Sequence, residues 1–220
     1  PNVDNVHFAG TGRIQIGSST YVPKNLVWPG SVDTTWDTNN TANWATSPAT
    51  TPQKFQTFDN VTFGNPAAAG TTAVDLFGSV QPSSVTFMNT AGNDYVISGF
   101  NTGIGGLGGV IKDGDGPVTL RAGSSSFTGP IVVNAGRLIA SGNKAFGNSS
   151  GITIANGAQL DLNGMQPGAI YSFTIGGTAP NGAGIIVNSG VQHFADGGIR
   201  DLTLTANASV GNDGSRFDIG

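Results

Sequence analysis

Ile131-Val-Val-Asn134-Ala-Gly-Arg-Leu138 is followed by Ile152-Thr-Ile-Ala-Asn156-Gly-Ala-Gln-Leu160, then by Ile185-Ile-Val-Asn188-Ser-Gly-Val191 and Leu202-Thr-Leu-Thr-Ala-Asn207-Ala-Ser-Val210. One phrase recurs: a short run with alternating apolar residues, an Asn among small residues, and an apolar residue again. Alternation at period two marks a strand with one buried face. The Asn positions lie 22, 32 and 19 residues apart, as in successive coils of a solenoid whose loops vary in length. Asn and Gly tolerate left-handed backbone angles, so a sharp corner selects them. Stacked coils would set Asn134, Asn156, Asn188 and Asn207 above one another as a ladder of side-chain amides.

The same alternation runs upstream and downstream. Val61/Phe63, Val85/Phe87, Val118/Leu120, Phe173/Ile175 and Phe217/Ile219 are apolar pairs separated by one residue, with Gly, Asn, Asp or Pro between most of the runs. Composition agrees. Of 220 residues, 35 are Gly, 23 Thr, 20 Asn and 18 Ser; all 13 acidic residues are Asp, and only 4 are Lys. Strong helix formers are scarce while β-branched and aromatic residues are kept, which excludes a helical bundle or a doubly wound α/β fold. The expected fold is all-β: a right-handed β-solenoid (β-helix) with an irregular Trp-rich N-terminal segment. Residues 1–25 are read as lead-in strands, 26–60 as a Trp-rich loop or cap, and 61–220 as solenoid repeats. Thr38 to Thr51, nearly all small and polar, is read as a long exposed loop.

Net charge is −4, with no Lys/Arg cluster, so the basic stripe that a nucleic-acid surface needs is missing. Without Cys there are no disulfides or thiolate metal sites. No apolar run approaches the roughly 20 residues of a membrane helix. The chain begins at Pro1 and stops at Arg216-Phe-Asp-Ile-Gly220, which reads as a piece of a larger protein.

Gly109-Val-Ile-Lys-Asp-Gly-Asp-Gly-Pro-Val-Thr-Leu120, Ser126-Phe-Thr-Gly129, Ile131 to Leu138 and Ala145-Phe-Gly147 resemble the autotransporter-associated β-strand repeat of bacterial surface proteins. Phe127 stands where that family usually has Tyr, and Pro117 where it has a small polar residue. Gly157 to Gly164 is similar to the strand that usually follows. Asn25-Leu-Val-Trp28, Trp36-Asp37, Asn43-Trp44 and Phe58-Asp-Asn-Val-Thr-Phe63 resemble the Trp-rich opening of such regions. The resemblance implies an extracellular, right-handed β-helix without an active site.

Candidate chemistry is sparse. His7 and His193 are the two histidines, and no Gly-x-Ser-x-Gly turn accompanies them. Asp113 and Asp115, near Lys112 and Arg121, come closest to a catalytic or calcium-binding group, and Asn93/Asp94 offer further oxygen ligands. Lys112-Asp-Gly-Asp-Gly-Pro also has the composition of a tight turn, the reading adopted here, so no cofactor and no enzymatic role are expected. Trp28, Trp36 and Trp44 suit either a plug over an open solenoid end or a platform on which sugars stack. Asn39, Asn60, Asn148 and Asn207 fall in Asn-x-Ser/Thr sequons, about what this composition supplies by chance. The expected role is a stalk, sheath or filament subunit that associates end to end with itself or with tandem neighbours. The alternative is an adhesin or glycan-binding module.

Overall fold

The computed structural model describes residues 5–9, 13–17, 21–46, 51–66, 70–165, 170–190, 199 and 201–211. Phe217, Ile219 and His193 lie outside them, and for His7 only the backbone is described.

β1 (Asn5–Ala9) and β2 (Arg13–Gly17) form an antiparallel pair. Then come β3 (Asn25–Val27), β4 (Thr35–Trp36), β5 (Ala45–Thr46), β6 (Asn60–Phe63), β7 (Ala73–Leu76) and β8 (Ser84–Phe87). They are followed by β9 (Tyr95–Gly99), β10 (Gly109–Lys112), β11 (Val118–Ala122), β12 (Ile131–Val133) and β13 (Gly136–Ala140). β14 (Ile152–Ile154), β15 (Ala158–Asp161), β16 (Ser172–Gly177), β17 (Ile186–Val187) and β18 (Asp201–Ala208) complete the set. From β6 onward successive strands alternate between a nine-stranded sheet, ordered β18-β16-β14-β12-β10-β8-β6-β3-β5, and a seven-stranded sheet, ordered β17-β15-β13-β11-β9-β7-β4. Every pairing in the two is parallel except β3–β5. Alternation between two parallel stacks is the coiling of a β-solenoid. No α-helix is present among the described residues.

The register explains the composition. On the nine-stranded sheet Leu26, Val61, Val85, Val110, Ile131, Ile152, Phe173 and Leu202 align strand to strand. All but Leu202 are buried. A second inward column runs Phe63, Phe87, Lys112, Val133, Ile154, Ile175 and Leu204. On the facing sheet Tyr95, Val118, Leu138, Leu160 and Ile186 align. The outward column between the first two reads Val27, Thr62, Thr86, Ile111, Val132, Thr153, Thr174 and Thr203. Every member is β-branched, the side-chain class that packs best on a pleated surface.

Loops link the sheets, and tight approach makes glycine necessary at some corners. A Cβ on Gly129 would lie 2.5 Å from the Gly108 carbonyl and the Gly109 amide, where no side chain fits.

The stretch 26–60, read as a Trp-rich loop or cap, is not wholly irregular: its short strands β3 and β4 pair with β6 and β7. Nor is Thr38 to Thr51 simply an exposed loop. Asn43 and Trp44 are buried, β5 pairs antiparallel with β3, and residues 47–50 lie outside the described set. The cause is Asp37, whose carboxylate folds the next turn back by accepting from the Thr41 amide at 2.8 Å and its hydroxyl at 2.6 Å.

Candidate functional site

The three tryptophans meet at one end of the stack. Trp28 follows β3 and pairs its amide with the Thr62 carbonyl at 2.9 Å, which sets it at the head of the column that continues Phe63, Phe87 and Lys112. Trp36 lies in β4, and Trp44 is held by a bridge to Gln53. All are buried, at 2%, 0% and 1% exposure, so no indole face is open to a sugar ring. Trp44 packs edge-on against Trp28 at 5.2 Å and Trp36 at 5.3 Å, and Phe63 touches all three. Phe87 stacks on Phe63 at 4.9 Å. The Trp28 indole N–H donates to the Thr71 carbonyl at 3.0 Å, while the Trp36 indole nitrogen is buried without a partner.

Polar turns tie this end together. Asp59, fully buried, accepts from the Tyr21 hydroxyl, the Lys24 amide at 2.7 Å and the Gln56 amide at 2.8 Å. Burial would raise the Asp37 carboxyl, but its hydrogen bonds from Thr41 and Asn40 outweigh that and hold it below the usual range.

The four repeat asparagines do not stack on one another. β12 and β14 pair Val133 with Ile154, so Asn134 sits level with Ala155, one residue short of Asn156. Asn188 follows β17 in the other sheet, and Asn207 lies within β18. Asn134, Asn156 and Asn188 bond locally or across coils instead. The Asn134 amide donates to Asp113 at 2.7 Å, Asn156 Oδ1 accepts from the Thr178 amide at 3.0 Å, and Asn188 Oδ1 accepts from the Gly164 amide at 2.6 Å. An amide ladder does occur, at a place the repeats did not flag. Asn60 donates to Asn25 Oδ1, and the Ser84 hydroxyl donates to Asn60 Oδ1, both at 2.9 Å, along the start of β3, β6 and β8.

Lys112 is inward and fully buried, while Asp113, Asp115 and Arg121 are exposed. The Lys112 amine donates to the Gly114 carbonyl in its own turn and to the Ala135 carbonyl of the next coil, the latter at 3.3 Å. Burial pushes its pKa down to about 8, against the upward pull of Asp115 and Asp113. The cluster is therefore split across the coil wall: the amine inside, the carboxylates outside. Among the described residues no group of three His or Asp side chains converges as a metal site.

One charged cluster escaped the sequence reading. Arg137 Nη2 bonds to Asp161 Oδ2 at 2.7 Å, with Asp161 only 1% exposed. Asp161 also accepts from the Ser189 hydroxyl at 2.6 Å, the Ser189 amide at 3.0 Å and the Asn163 amide at 2.9 Å. By alternation Asp161 shares the outward phase of Gln159; it is buried because the chain after β17 covers it. Sequence periodicity carries no signal for that.

No family model matches the chain, and no solved structure matches it. The chain is similar to an adhesin, the BmaC autotransporter of Brucella suis biovar 1 (strain 1330), at 28% identity over 210 residues, 93% of the chain. It spans about 6% of that relative's length. Fold and similarity together support a passenger-type, autotransporter-like β-solenoid. No helix among the described residues is long and apolar enough to cross a membrane.

Proposed function

We propose that the chain is a non-catalytic structural segment of an extracellular bacterial surface protein, a stiff spacer built from stacked coils. The observation that carries this reading is the asymmetry of the two ends. At the first coil the Trp28–Trp36–Trp44 cluster fills the interior, and antiparallel β5 interrupts the parallel stack. At the last, β18 is hydrogen-bonded to β16 alone among the described strands. Leu204, which continues an otherwise buried column, is 58% exposed. An uncovered apolar column and an open strand edge are what a further coil, or a neighbouring module, would cover. Nearest-neighbour coil packing makes such an object stiff along its axis. The tryptophans are a plug in this reading, and the coil takes the right hand that parallel crossover connections favour.

Size-exclusion chromatography and negative-stain electron microscopy of the purified chain at neutral pH test it. Filaments of regular width support association through the β18 end. Discrete rods support a spacer closed at its tryptophan end. A compact particle with neither habit overturns the structural reading.

The second reading, an adhesive module, is favoured by the description of the relative as an adhesin. Its aromatic platform at Trp28, Trp36 and Trp44 is disfavoured by their burial.

A further inference from the structure

A groove of about 560 Å³ opens on the outer side of the seven-stranded sheet, far in sequence from the tryptophan cluster. Asp115, Arg137, Gln159, Pro180, Gly184 and Ser209 are among the residues that line it. Its volume falls within the roughly 300–1,000 Å³ of small-molecule sites. It exists because the β16–β17 connection carries a short 3-10 turn, Pro180–Gly182, that forms a wall. That wall is pinned by Asn156 to the Thr178 amide at 3.0 Å and by the Gln159 amide nitrogen to the Gly184 carbonyl at 3.0 Å.

Asp115, Arg137 and Gln159 bring side chains of three hydrogen-bonding kinds to it. Asp115 is an exposed carboxylate. Gln159 keeps its amide oxygen as an acceptor. The Arg137 guanidinium stays 31% exposed while Asp161 holds it from behind. In a chain with only 10% charged residues, a carboxylate buried with three further donors is best explained by what it does to Arg137: it orients a planar donor at the groove wall.

We propose that this groove binds a neutral saccharide. Each sugar hydroxyl both donates and accepts, so a wall that alternates carboxylate, guanidinium and amide matches adjacent hydroxyls in pairs. Charge selects against anionic sugars, since Asp161 neutralises Arg137 and Asp115 leaves the wall negative. The site goes beyond the structural reading above and does not depend on it, because a load-bearing coil can carry a groove on its surface.

The test is binding of the full chain to a glycan array. The array holds neutral hexose and N-acetylhexosamine oligosaccharides beside heparin and hyaluronate fragments, and hits are followed by titration calorimetry. Neutral oligosaccharides are expected to bind. Asp115→Ala is expected to weaken binding at least tenfold with an unchanged melting midpoint, and Gln159→Ala, which also releases the Gly184 carbonyl, at least tenfold with a lowered midpoint. Ser209→Trp, which fills the groove, is expected to abolish binding. Absence of any neutral ligand, preference for heparin or hyaluronate, or full affinity in all three variants overturns the proposal. Because Asp115→Ala and Gln159→Ala touch neither the tryptophan end nor β18, failure of those two arms leaves the rod-or-filament test standing.

Discussion

Lys112 occupies a position its neighbours in the column fill with Phe87 and Val133. Its stem packs as a hydrophobe and its amine ties two coils by accepting no bond and donating to two carbonyls. Lys112→Ala is expected to cost about 2–4 kcal/mol, read by urea unfolding, since it opens a cavity and strands both carbonyls. The pH dependence has a definite sign. With a folded-state pKa of about 8 against 10.5 unfolded, the unfolded chain holds more protons between those values. The cost of the buried charge is in full force below about pH 8 and is relieved as pH rises toward 10.5. Burial raises Tyr95 to about 12, and Tyr21 and Tyr171 are also raised. Their contribution is present below about pH 10 and is lost above it, as the unfolded phenols ionise first. Urea unfolding at about pH 7, 9 and 11 should therefore show stability rising and then falling, and the Lys112→Met variant should lack the rise.

Strands and corners come next. Gly129 admits no Cβ against Gly108 and Gly109, so Gly129→Ala must push two coils apart. A cost at the upper end of about 1–3 kcal/mol is expected from thermal unfolding. Phe63 links the tryptophan cluster to Phe87 and Tyr95. Phe63→Ala should cost about 3–5 kcal/mol. It should also raise acrylamide quenching of tryptophan fluorescence, which in the unmodified chain is expected to be slow. The pairing phase of these strands was legible in the sequence: Val61/Phe63, Val85/Phe87 and Val118/Leu120 alternate visibly and face inward. The same phase places Lys112 inward with Val110, a signal that its charge and the flanking Asp-Gly-Asp obscured. The asparagine repeat does not form a stack, because with β12 and β14 in register Asn134 lies level with Ala155 and not with Asn156, and Asn207 falls inside β18.

Taken as a whole, the molecule is a one-dimensional stack in which each coil contacts its neighbours. Stability should follow position along the axis. Amide hydrogen exchange is expected to be slowest in β8 to β14, which are paired on both sides, and fastest in β18, which among the described strands pairs with β16 alone. Uniform protection from β3 to β18 would contradict this picture. In the proposed reading, the buried aromatic cluster at one end and exposed Leu204 at the other give the stack a polarity, and assembly would run through the β18 end.

Period-two alternation, the corner residues and the scarcity of helix formers were enough to specify an all-β solenoid, since each acts within a few residues. The sites depend on contacts between residues from different coils. Whether Trp28, Trp36 and Trp44 face solvent or the core depended on how β3, β4 and the Gln53 bridge fold over one end. Asp161 was buried by a later segment of chain. The groove beside Arg137 arose from a wall residues away in the next coils. Local pattern encodes which face of a strand turns inward; loop lengths decide what lies above it, and alternation carries no record of them.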